Sequence, residues 1–215
     1  MERVMRRATI LLVAVMIAVA LVVLANAMAT TPADAATRAT KVVTKTFSNN
    51  QQITIPTSGS SGAAAPYPSE RNVQGFDQGR VLDVNLTLKN YSHTFPDDVD
   101  VLLSKKGKTR TVMSDVGSGF AANNFTIKLD DEAANGLLPD NGPLVAGSFR
   151  PTNAEGGDFF PAPTPTPSAQ SALSGFDGVN PNGTWKLRVF DDFSPADGGQ
   201  FAGGWSLTIK ARVQR

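Results

Sequence analysis

Five stretches of the chain are apolar at every second residue. In Val81–Lys89, Val84, Leu86 and Leu88 fall on one side, with Asp83, Asn85, Thr87 and Lys89 on the other. Val99, Val101 and Leu103 repeat the pattern, with Asp98 and Asp100 opposite. Phe125, Ile127 and Leu129 alternate with Thr126 and Lys128. Trp185, Leu187 and Val189 alternate with Thr184, Lys186 and Arg188, and Trp205, Leu207 and Ile209 with Ser206, Thr208 and Lys210. A period of two is the pleat of a strand, and the alternation predicts one buried and one wet face. Two shorter strands fit Val42–Phe47 and Ile53–Ile55. Turn residues separate these runs, which predicts an antiparallel sandwich or barrel. Trp185 and Trp205 are expected to be its largest core side chains. Beyond residue 29 no stretch has a helical period, although Asp130–Asn135 has room for one helical turn.

Two regions lack the alternation. Residues 56–80 are rich in Ser, Gly, Ala and Pro and read as loop. Residues 139–178 form a long excursion that includes Phe159-Phe160-Pro161-Ala162-Pro163-Thr164-Pro165-Thr166-Pro167. Alternate prolines favour an extended polyproline path. The excursion is expected to run over the surface and pack back through Phe149, Phe159 and Phe160.

The N-terminus has a different character. Arg3, Arg6 and Arg7 precede an uncharged apolar run from Ile10 to Ala25. Small-residue exits follow at Ala25-Asn26-Ala27, Ala27-Met28-Ala29 and Ala33-Asp34-Ala35. This is the pattern of a secretory signal. The run also approaches the length of a membrane span, about 20 residues. Residues 1–29 are therefore a signal peptide or a membrane anchor helix, 30–41 a spacer, and 42–211 the folded domain. A secreted or cell-surface location follows, with membrane contact only if the leader is retained. Loss of residues 1–29 removes three Arg and one Glu and turns the formal charge from +1 to near −1. No basic run remains for a nucleic-acid partner. Cysteine is absent, which excludes disulfides and thiolate metal sites.

The candidate chemistry is acidic. Asp97, Asp98 and Asp100 stand at the start of one strand, with Asp98 and Asp100 on one face. Asp115 follows the next strand, and Asp191, Asp192 and Asp197 occupy the last turn. Calcium takes six to eight oxygens from carboxylates and loop carbonyls. Carboxylates gathered by folding would favour such an ion. The competing reading is that each Asp caps its own turn. No EF-hand spacing is present. His93 is the single histidine, no Gly-x-Ser-x-Gly elbow occurs, and no carboxylate pair suggests a glycosidase, so no catalytic residue is assigned. His93 is expected to be a structural side chain bonded near the acidic turn. Asn85, Asn90, Asn124 and Asn182 match Asn-x-Ser/Thr, at a frequency that chance explains in a chain this rich in Asn and Thr.

Two blocks resemble a known family. In Leu86–Lys108, His93, Phe95, Asp98, Val99, Val101, Leu103, Ser104 and Gly107 match a pattern of strand, His, aromatic, acidic turn, and strand ending in Ser-Pro-x-Gly. In Asn182–Ile209, Asn182-Gly183-Thr184-Trp185 opens a strand, Asp191-Asp192 and Asp197-Gly198-Gly199 make the turn, and Trp205-Ser206-Leu207 begins the last strand. Phe47–Pro56 fits the opening. Residues 42–211 thus resemble the P (Homo B) domain of proprotein convertases, in a bacterial exported form. The resemblance implies a jelly-roll-like, galactose-binding-like β-sandwich that stabilises a subtilisin-type serine protease. Lys105 departs from the family's Pro, Glu70-Arg71-Asn72 from a more apolar strand, and the 139–178 excursion from convertase P domains. The sequence holds no subtilisin-type domain. The expectation is an exported, non-catalytic module for a protein partner such as a protease. The alternative is a carbohydrate- or cell-surface-binding jelly roll, with Tyr67, Tyr91, Phe159 and Phe160 as its aromatic platform.

Overall fold

The alternating runs fold as strands of a β-sandwich. The computed structural model describes residues 39–56, 59, 61–193 and 197–215. The leader, residues 1–29, and residues 30–38 of the spacer lie outside the described residues. The strands are β1 (Thr40–Asn49), β2 (Ile53–Ile55), β3 (Gly62–Ala63), β4 (Ser69–Val73), β5 (Arg80–His93), β6 (Val99–Lys105), β7 (Lys108–Ser114), β8 (Ala122–Leu129), β9 (Gly147–Phe149), β10 (Thr152–Asn153), β11 (Gly183–Asp191), β12 (Gly199–Phe201) and β13 (Trp205–Gln214).

The first sheet is centred on β5. One edge of β5 pairs with β13 and then β12, which pair in turn with β1 and β2; its other edge pairs with β8. The second sheet runs β10-β7-β6-β11, and β3 and β4 share the far edge of β11. Between the named strands, pairing is antiparallel except for two short contacts, β8 with β9 and β7 with β10. The sheets are therefore mixed, and both exceptions come from the excursion. Region 56–80 is not all loop either. Ser69–Val73 pairs with Gly183–Leu187 and buries Ser69 and Val73 beneath a polar outer side.

The inward sets meet as expected. Val84, Leu86, Leu88, Val101, Leu103, Ile127, Leu129, Leu187, Val189, Leu207 and Ile209 form one core with both tryptophans, which are 0% exposed. Each fully buried side chain of this size contributes roughly 1.5–3 kcal/mol before entropy. Trp185 Nε1 donates to Pro181 O at 2.9 Å, and Trp205 Nε1 donates to Ser69 Oγ at 2.9 Å. The indoles thus pack fully without leaving a donor unpaired.

The outer face of β6 is not wet. All of β6 is buried, including Asp100, Leu102, Ser104 and Lys105. The proline-rich segment lies across this face as a strap. Arg188 Nη2 donates to Pro163 O at 2.9 Å and Thr109 Oγ1 to Thr166 O at 2.9 Å. Arg110 Nε donates to Ala172 O at 3.0 Å and Lys108 Nζ to Gly175 O at 3.1 Å. A polyproline path has no internal hydrogen bonds, so the Pro163 and Thr166 carbonyls are free to take their donors. Phe149 and Phe160 are buried, as expected, but Phe159 is 65% exposed and meets Phe190 edge-on. Lys105 finds Asn182 O at 2.6 Å and lies 5.5 Å from the Trp185 ring.

Candidate metal centre at the acidic end

The ends of β5, β7 and β11 and the start of β6 meet at one end of the sandwich. Pro96 opens a 3-10 turn, Pro96–Asp98, whose last residue accepts Asp192 N–H at its carbonyl, 3.0 Å. Asp191 ends β11 opposite Val99, and Asp100 faces Phe190. The loop beyond Ser114 turns through left-handed residues, Asp115 at φ 53° and Gly117 at φ 92°. A Cβ on Gly117 would lie 2.8 Å from Leu144 Cγ and 3.0 Å from Pro96 Cβ, so only glycine lets this loop close on the 3-10 turn. Gly199 is equally constrained, because a Cβ there would run into Ser92 O.

Two carboxylate clusters result. The first surrounds Ser114. Its Oγ lies 2.6 Å from Asp100 Oδ1, 2.8 Å from Asp115 Oδ2 and 2.7 Å from Asp158 Oδ1. A hydroxyl has one proton and can donate to one of the three. Asn153 Nδ2 holds the other oxygen of Asp158 at 2.8 Å. Asp100 is 1% exposed, and its Oδ2 has no hydrogen-bond partner. Burial pushes the Asp100 carboxyl up to about 8; the Ser114 hydrogen bond opposes this, and the charges of Asp158, Asp192 and Asp115 add to it. Asp192 is raised by burial and then by Asp115, Asp191 and Asp158.

The second cluster holds His93, Asp191 and Asp197, with one ligand atom of each within 4.8 Å of the others. His93 Nε2 lies 3.1 Å from Asp191 Oδ2, and both side chains are fully buried. Asp98 joins through a hydrogen bond with Asp197. Its carboxyl is pushed up to about 7 by burial first, then by that bond and by the charges of Asp197, Asp191 and Asp192.

The seven predicted aspartates therefore do gather at one end, but not as one group. Asp98 and Asp100, expected on one face, belong to different clusters. Asp98 sits in the 3-10 turn, so the strand's alternation does not reach it. Asp97 is partly buried and stands apart, accepting a backbone N–H from Ser118 near Asp115 and Asp140. Asp158 and Ser114 were not anticipated as cluster members. Asp158 comes from the excursion, and only the parallel pairing of β10 with Met113–Ser114 brings its segment here. His93 does bond beside the acidic turn, as expected.

All donors of the Ser114 cluster are oxygens, which suits a hard cation such as calcium. Lys128–Asp130 and Lys186–Glu70, the lysine ion pairs among the described residues, lie elsewhere. The expected aromatic platform does not assemble. Tyr91 is buried against Phe201, Phe160 is buried, and Tyr67 OH is turned onto Pro161 O and Thr164 Oγ1. The exposed rings are Phe159 and three that were not foreseen, Phe95, Phe120 and Phe193. Comparisons with protein-family models, with curated proteins and with solved structures find no match.

Proposed function

We propose that this chain is an exported, non-catalytic β-sandwich module that binds a protein partner and is stabilised by calcium at the Ser114 cluster. One observation carries the calcium reading: a single hydroxyl lies within 2.8 Å of three different carboxylates. One proton serves one of those contacts. A divalent ion bound among Asp100, Asp115, Asp158 and Ser114 would compensate the rest, with Asp192 close enough to add charge. Phe95, Phe159 and Phe193 each lie within two residues of an acidic side chain of this end and are exposed, which supports partner binding there. The resemblance of residues 42–211 to convertase P domains favours a subtilisin-type protease as the partner. Glycan binding stays the second reading, with Phe159 as its remaining ring from the expected platform.

The test is thermal unfolding of the purified chain with calcium and with chelator. Calcium at one hundred times its dissociation constant should add about 2.7 kcal/mol. The shift should vanish in Asp100→Asn and in Asp158→Asn. An unfolding curve that ignores millimolar calcium would sink the proposal.

A further inference from the structure

We infer that His93, Asp191 and Asp197 form a second cation site, separate from the Ser114 cluster, that takes a divalent transition-metal ion of the zinc or cobalt type rather than calcium. The inference stands without the calcium reading, because it uses different side chains.

The argument begins with the histidine ring. His93 Nδ1 lies 2.9 Å from Phe95 O and 3.3 Å from Phe95 N. The shorter contact is satisfied when Nδ1 carries the proton and donates to the Phe95 carbonyl. A backbone carbonyl holding one ring nitrogen in this way fixes the tautomer and leaves the other nitrogen free to ligate. That other nitrogen, Nε2, then points a lone pair at Asp191 Oδ2, 3.1 Å away. Two lone pairs at that separation repel unless a proton or a metal ion is shared between them.

The carboxylates point the same way. Asp191 is 0% exposed, yet its Oδ1 has no hydrogen-bond partner, and the buried Oδ1 of Asp197 has none either. A buried carboxylate oxygen left unpaired costs more than an ordinary missing hydrogen bond. No lysine or arginine among the described residues forms an ion pair with either group. One ion bound by His93 Nε2 and the two carboxylates would give all three a partner.

The donor set selects the metal. Calcium takes oxygen donors, and its sites are larger. Imidazole suits zinc, copper, iron and nickel, and mixed nitrogen–carboxylate sites follow the general rise in affinity along the first transition row. With no cysteine in the chain, the ligands are limited to nitrogen and oxygen. Asp98, hydrogen-bonded to Asp197, would hold that carboxylate in place.

Cobalt(II) reports this site directly, because its visible absorption strengthens when it leaves the hydrated octahedral form. The purified chain, saturated with calcium, would be titrated with cobalt(II) chloride. One equivalent should produce an intensified visible band that zinc abolishes. His93→Ala and Asp197→Asn should each weaken cobalt binding at least tenfold. Asp197 precedes β12 in a loop, so its variant tests the site even if His93→Ala does not fold. Asp100→Asn should keep the band while losing the calcium shift. A wild-type chain without the band, or an unchanged band in a folded Asp197→Asn variant, would overturn the inference. A band that persists while calcium has no thermal effect would overturn only the calcium reading.

Discussion

Trp205 and Asp191 are equally buried, and their surroundings differ in kind. Trp205 lies among apolar side chains, and its one polar atom donates to Ser69 Oγ. Asp191 lies among other acids, and one of its oxygens has no partner. The space between the sheets stabilises the fold under any conditions. The acidic end opposes folding unless protons or cations are supplied, because buried carboxylates repel one another and lose hydration. The middle of the sandwich thus holds together an end that would not assemble alone. A breach of local consistency of this kind is the usual mark of a functional site.

The largest effect expected from this contrast is in the middle. Trp205→Ala should cost about 3–5 kcal/mol by leaving a cavity; Ser69 Oγ loses the indole donor but keeps Asn49 Nδ2 at 3.1 Å. The loss should be the same with calcium and with chelator, measured by denaturant unfolding. If calcium rescued Trp205→Ala selectively, the two regions would not be independent and the contrast would fail.

A smaller effect, and one of opposite dependence, is expected at the acidic end. Asp100 is raised to about 8 and Asp98 to about 7, both by burial first. Unfolded aspartate titrates near pH 4. The folded chain therefore holds protons that the unfolded chain has released between about pH 4 and 8. Stability from these groups is fully present below about pH 4 and is lost as pH rises through 7 and 8. Without metal, the melting temperature should fall across this window. Calcium at the Ser114 cluster displaces the Asp100 proton, so its stabilising effect should grow from about pH 4 to 8. Melting curves at several pH values, with chelator and with calcium, check both directions. A metal-free chain that gains stability toward pH 8 would contradict the arrangement of Asp98 and Asp100.

How far the sequence reveals each region follows from the same contrast. The middle was legible because burial between two sheets repeats at every second residue, and five runs show it without reference to one another. Among the strands that escaped notice, Ser69–Val73 is hidden by its polar Glu70-Arg71-Asn72 centre, and the others are short. Gly62–Ala63, Gly147–Phe149 and Thr152–Asn153 have too few residues to display a period, and their pairing depends on partners far along the chain. The acidic end was legible as composition but not as geometry. His93 and Asp191 meet across 98 residues, and Ser114 meets Asp158 across 44. The wet face expected of β6 is buried for a physical reason, as is Arg188 of β11, whereas Thr184 and Lys186 of β11 do reach the surface. Ser104 and Arg188 are polar because Arg188 donates to Ser104 Oγ and to Pro163 O beneath the strap, and a polar residue with a buried partner looks, in sequence, like a solvated one.

The strap offers the smallest and most local test. Tyr67 OH lies 3.1 Å from Pro161 O and 2.8 Å from Thr164 Oγ1, while its ring stands 6.0 Å from the Arg188 guanidinium. Tyr67→Phe keeps the ring and removes the hydroxyl. The expected cost is about 1 kcal/mol, the net worth of a typical hydrogen bond. Because that bond ties the strap to the sheet from outside the core, the loss should loosen residues 159–172 before it lowers global stability. Limited proteolysis should then cut Tyr67→Phe within this segment faster than the parent chain, with little change in melting temperature. Equal cleavage rates would mean that Arg188, Thr109 and Arg110 alone hold the strap. The dry outer face of β6 would then depend on the second sheet's own donors, and the polar residues of β7 and β11 would be the ones to change next.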